Sequence, residues 1–150
     1  MKTLFDEASR RSLLARIDRV TPEAKAAWGK MNAEQMLCHI AEALKLGTGE
    51  LTATPKNLPI RYPPLKQLII YLLPFPKGAP TAPELKRTTD AAAGTLARSR
   101  AEVARLLEDI AGRSGQKQWP DHPAFGKLSR RAWGVLGYRH LDHHLRQFGV

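Results

Sequence analysis

The chain contains one cysteine, Cys38, so no internal disulfide can staple it. It also lacks long apolar runs. The longest, Leu68 to Leu73, falls far short of the roughly 20 residues that a helix needs to span a bilayer. The opening MKTLFDEASRR becomes charged at once and has no apolar core of its own, so a secretory leader is not expected and a cytoplasmic home is. Strand-like alternation, internal repeats and low-complexity tracts are missing as well. Acidic residues are scarce: 14 Asp and Glu face 24 Lys and Arg, a net charge of +10. The cations are dispersed from Lys2 to Arg146, with tight pairs only at Arg10-Arg11, Lys86-Arg87 and Arg130-Arg131 and no interleaved aromatics to stack on bases. That dispersion argues against nucleic acid and favours a general field that draws a small anionic substrate.

What is present is a helical pattern. With 150 residues and 43% hydrophobic content the chain is long enough for one domain with its own core, residues 1–150. From Glu7 to Val20, behind a candidate N-cap at Asp6, residues Leu13, Leu14, Ile17 and Val20 fall at helical spacing. Thr21-Pro22-Glu23 predicts a short helical turn through Ala27, closed at Trp28-Gly29. Asn32 followed by Gln35 has the capping-box spacing and predicts a second long helix from Ala33 to Leu46, stopped at Gly47. A third should begin near Thr89-Asp90, carry Leu96, Val103, Leu107 and Ile110 inward, and end at Gly112 and Ser114-Gly115. After an ordered loop over residues 116–128, a last helix should run from Ser129 to Phe148, with Gly149 beyond it. Residues 48–88 break the pattern, holding eight of the eleven prolines, with room for only a short apolar helix between Leu65 and Leu73. So long and apolar a connection reads as a lid or crossover packed over one end of a bundle.

Chemistry concentrates in the last helix, YRHLDHHLRQF. Residues four apart lie one turn apart on one face, so His140 and His144 can aim two imidazoles at one point. Trp133, Leu136, Leu141, Leu145 and Phe148 flank that stripe and turn it inward. His39, on the apolar stripe Met36, Ile40 and Ala43 of the second helix, is the candidate third ligand. Three neutral imidazoles leave an open coordination position, the catalytic rather than the structural pattern. The competing reading is three hydrogen-bonded core histidines. His143, turned about 100° from His144, reads as a flank. His122, between Pro120 and Pro123, reads as loop packing. Gln147, one turn past His144, could hold substrate or water or cap a neighbouring helix. Glu34 and Glu42 are acid/base candidates against the plainer reading of a solvated face, and Cys38 reads as a buried inert thiol.

The histidine in QMLCHIAEAL together with the late H-x-x-x-H-x-x-Q pattern (His140, His144, Gln147) resembles the DinB/YfiT-like superfamily of metalloenzymes. WGKMNAEQMLCH, LLPFPKGAPTAPEL, WPDHPAFGKLSRRAW and YRHLDHHLRQFG look like an uncharacterised branch of it. The resemblance implies an all-α four-helix bundle, here with a long proline-rich insertion between the second and third helices. It also implies a divalent metal, often nickel or zinc, held by His39, His140 and His144. Relatives of this kind include thiol-dependent S-transferases, isomerases and hydrolases, and fold-level analogy does not choose among them.

Three functions follow as expectations. One is a metal-dependent transferase acting with a low-molecular-weight thiol, its anionic cosubstrate drawn by cations such as Arg130, Arg131 or Arg139. Another is a metal-dependent hydrolase using activated water with a carboxylate base. The third is a non-catalytic metal- or ligand-binding module, a homodimer included.

Overall fold

The computed structural model describes residues 1–77 and 96–150, and these are all-helical, with five helices and no strands. Helix α1, Glu7–Asp18, starts where the Asp6 side chain accepts the Ser9 backbone N–H at 2.8 Å, and it buries Leu13 and Ile17. The expected helical turn after Thr21 does not form; a single Ala24-to-Thr21 turn stands there, and the Ala27 N–H is taken by the Gln147 carbonyl at 2.8 Å. A tertiary partner therefore replaces the helical one.

Helix α2, Ala33–Thr48, has the expected reciprocal capping box, Asn32 with Gln35, at 2.8 and 3.0 Å. It does not stop at Gly47. That residue continues the helix against the Trp133 ring, and a Cβ there would make only ordinary van der Waals contact, at 3.6 Å. The stop is Gly49, in the left-handed conformation at φ +80°. Helix α3, Leu65–Tyr71, ends two residues before the expected Leu73, and the Leu72 and Leu73 N–H groups both return to the Leu68 carbonyl. Arg139 supplies the missing donors to the open carbonyls of Ile69, at 2.7 Å, and Ile70, at 2.5 Å, and also bonds Leu73.

Helix α4, Leu96–Gly112, buries Val103, Leu106, Leu107 and Ile110, and a single 3-10 turn, Arg113–Gly115, follows it. The expected start near Thr89-Asp90 lies outside the described residues. Helix α5, Arg130–Gln147, is capped by Ser129, whose hydroxyl accepts the Ala132 N–H at 3.2 Å. Before it, His122 and Gly126 pair across a tight antiparallel bridge.

Helix α2 packs against α4 and α5, α1 against α4 and α5, and α3 against α5. Arg16 ties α1 to α5 through Asp142 at 2.7 Å and through the Val150 carbonyl at 2.9 Å. One apolar cluster gathers Leu13, Ile17, Met36, Ile40, Leu107, Leu141 and Leu145. A second, of Leu46, Ile70, Phe125, Trp133 and Leu136, seats α3 and the loop after α4 against α5. Each such side chain contributes about 1.5–3 kcal/mol through burial, which holds the α2 and α5 faces in fixed register. No helix among the described residues is long and apolar enough to cross a membrane.

Candidate metal centre

Helix α2 brings His39, and α5 brings His140 and His144, to one point. The Nε2 of His140 lies 3.2 Å from the Nε2 of His39 and 3.2 Å from the Nε2 of His144. Helical spacing supplies the second distance, and the α2–α5 packing supplies the first. Metal–nitrogen bonds of about 2.0–2.1 Å at the tetrahedral angle put neighbouring nitrogens about 3.3 Å apart. Those two spacings fit that geometry, and ligand atoms of all three rings lie within 4.8 Å of one another, so the rings can hold a metal ion.

Tautomers strengthen the fit. The Trp28 carbonyl can only accept, so its partner at 2.5 Å must be the Gln147 amide nitrogen. Gln147 Oε1 therefore faces His144 Nδ1, 2.8 Å away, and must accept a proton from it. The single ring hydrogen of neutral His144 sits on Nδ1, which leaves Nε2 a bare lone pair facing His140 Nε2. Gly29, beside Trp28, has φ +81°, and a Cβ on it would stand 2.8 Å from Gln147 Nε2. Glycine is what lets the loop approach that amide. Only one shared proton, on His140, could serve both short contacts, whereas a cation satisfies all three nitrogens.

Burial keeps the cluster uncharged. His39 is pushed down to about 3 by burial and then by His144, and His144 to about 4 by burial and then by His143 against the opposing Gln147 bond. Burial, then His144 and His39, hold His140 well below the ordinary histidine range. Neutral rings are the ligating form. His39 Nδ1, by contrast, is buried with no hydrogen-bond partner among the described residues, so packing rather than a bond orients that ring.

The triad forms part of the wall of a cavity of about 830 Å³, within the range of small-molecule sites. Its walls are chiefly apolar, with Trp28, Ile69, Phe75, Trp119, Phe125 and Trp133 among them, and Lys30 and Lys56 its only charged lining residues among those described. His143 lies between Trp28, at 5.5 Å, and Phe75, at 6.0 Å, and borders the cavity without joining the triad. His122 also lines the cavity.

The other expected contributors lie elsewhere. Glu42 does not sit on a solvated face: it is buried and paired with Lys45 at 2.9 Å, and neither it nor Glu34 lines the cavity. Cys38 is half-buried rather than buried, its thiol raised by burial and by Glu42, which disfavours the thiolate. Arg139 is engaged with α3, Arg130 stacks over Phe5 and Arg131 over Tyr71, so none of the three faces the cavity. Lys30, Lys56, Phe75 and the Trp28–Gly29 brace were not singled out by sequence. The Trp28-Gly29 turn signal is visible there, but its partner on α5 is not.

Fold and site together define a helical protein with a three-imidazole centre suited to a divalent metal ion, opening on an apolar chamber. Comparison with protein families finds a match to the DinB superfamily over residues 6–148, and the chain belongs to that superfamily. Searches of curated proteins and of solved structures find no significant match.

Proposed function

We propose that this chain is a one-domain, four-helix-bundle member of the superfamily, with α1, α2, α4 and α5 as the bundle and a proline-rich insertion, residues 48–88 in the sequence, between α2 and α4. In this reading His39, His140 and His144 bind zinc or nickel, and the protein is a metal-dependent transferase acting with a low-molecular-weight thiol. The observation that carries it is three Nε2 atoms facing one another on the wall of an apolar cavity, with no carboxylate lining it among the described residues. When bound, the metal supplies Lewis acidity and favours the deprotonated form of a thiol that reaches it. The chain's own residues do the rest. Gln147 fixes the His144 tautomer, His39 and His140 stay neutral through burial, and the aromatic walls keep water from a reactive sulfur.

The second reading, a hydrolase with a carboxylate base, lacks a carboxylate at the cavity, because Glu34 and Glu42 are turned away from it. A non-catalytic binding module would use the same chamber without the chemistry.

Cobalt substitution tests the proposal. Titrating glutathione or cysteine into the cobalt-loaded protein should add sulfur-to-metal charge-transfer absorption and perturb the visible bands. An unchanged spectrum at saturating thiol would rule out the transferase reading, and hydrolysis of test esters by the same sample would favour its rival.

A further inference from the structure

Besides the triad, the cavity wall carries a polar group that the metal reading does not use, His122. His122 lies in the loop before α5, its backbone locked to Gly126 by two hydrogen bonds of 2.9 and 2.7 Å. Its ring is held between Phe125, at 5.0 Å, and Trp133, at 5.3 Å. The Nδ1 atom faces the backbone N–H groups of Ala124 and Phe125 at 3.1 and 3.3 Å. Amides can only donate, so Nδ1 must be a bare acceptor and the hydrogen of the neutral ring must sit on Nε2. Burial, which lowers this histidine to about 4, keeps the ring neutral at pH 7. Nε2–H is thus a fixed donor on the ring edge away from the loop backbone.

Lys56 is tied to the same loop. Its backbone N–H bonds the carbonyl of Pro123, the residue after His122, at 2.8 Å, and both Lys56 and His122 line the cavity. No described carboxylate lines the chamber, so none neighbours Lys56 there. A fixed neutral donor and a cation carried by the same loop contact, in a chiefly apolar chamber without a described carboxylate, match a small molecule with an apolar body and one anionic end.

We propose that the cavity binds an apolar organic carboxylate whose headgroup is held by His122 Nε2–H and the Lys56 ammonium, leaving the body along the aromatic walls toward the triad. As a statement about substrate this rests on the triad being the reacting centre; as a binding site it stands without it.

Calorimetric titration of decanoate and of 1-decanol tests the assignment, on the metal-loaded protein and again after chelation. Decanoate should bind at one site, at least tenfold more tightly than decanol, and equally well with and without metal. His122→Asn keeps a side-chain acceptor for the Ala124 and Phe125 amides but shortens the side chain, so it should weaken decanoate about tenfold with decanol unchanged. Lys56→Met, at a half-buried position outside both apolar clusters and checked for retained helicity by circular dichroism, should do the same. Equal affinities for acid and alcohol, or decanoate affinity untouched by both substitutions, would overturn the proposal. Decanoate binding that vanishes on chelation would overturn it too, by putting the carboxylate on the metal. Failure of the protein to take up metal while decanoate still binds through His122 and Lys56 would retire the metal reading and leave this site standing.

Discussion

The Oε1 atom of Gln147 lies 2.8 Å from His144 Nδ1, one helical turn along α5, and the other end of that amide is anchored on the Trp28 carbonyl. This relay converts a glutamine from a polar residue on the helix into the group that decides which nitrogen of His144 is free to ligate. Gln147→Leu keeps the volume and removes the acceptor, so metal affinity should fall about 10- to 100-fold in a chelator competition. Gly29→Ala should lower it in the same direction, because its Cβ would displace the Gln147 amide. Unchanged affinity in Gln147→Leu would mean that packing alone orients the ring.

A pH dependence follows from the buried histidines. His39, His122 and His144 are lowered from 6.5 to between about 3 and 4, so the folded chain resists protons that the unfolded chain accepts. Their contribution to stability is complete above pH 6.5 and is lost as pH falls from there through the folded values, by about 1.4 kcal/mol per pH unit for each histidine in that window. Metal-free protein should therefore show a Tm that falls steadily between pH 6.5 and 4, and metal should raise it most at the upper end, where protons do not compete. A Tm flat across that window would contradict the burial argument.

Packing sets a third expectation. Leu141 is fully buried beside the triad, and Leu141→Ala should cost about 2–5 kcal/mol in chemical denaturation. Leu72 is 69% exposed, and Leu72→Ala should stay within about 0.5 kcal/mol.

The Arg139 guanidinium links α3 to the cavity wall, because it holds the Ile69 and Ile70 carbonyls and lies 5.0 Å over the Phe75 ring. Arg139→Met should loosen α3 and the Phe75 wall, weakening apolar ligands several-fold while metal binding is retained. Parallel loss of both would show that the triad depends on α3.

How much of this is legible in sequence depends on the range of the interaction. The His140–His144 pair and the Asn32–Gln35 box are set by spacing along one helix, and both appear as expected. Gly47 misleads because a glycine two residues on, Gly49, takes the left-handed conformation that ends the helix, while Gly47 stays helical beside the Trp133 ring, a neighbour 86 positions away in sequence. The turn after Thr21 is lost for the same kind of reason, since the Ala27 N–H is claimed by the Gln147 carbonyl. Arg130, Arg131 and Arg139 carry the right charge for steering an anion, but each is consumed by a carbonyl or an aromatic face. The lysines that border the cavity, Lys30 and Lys56, have no local pattern to distinguish them. His39 is legible as a core-facing histidine, but its meeting with His140 is a product of the α2–α5 packing.

The metal centre exists only if three imidazoles share one ion. Zinc or nickel titrated calorimetrically into chelator-treated protein at pH 7 should bind with one equivalent per chain. The His140→Ala/His144→Ala double variant, checked for retained helicity by circular dichroism, should lose that binding. Full-strength, one-equivalent binding by the folded double variant would contradict the account directly.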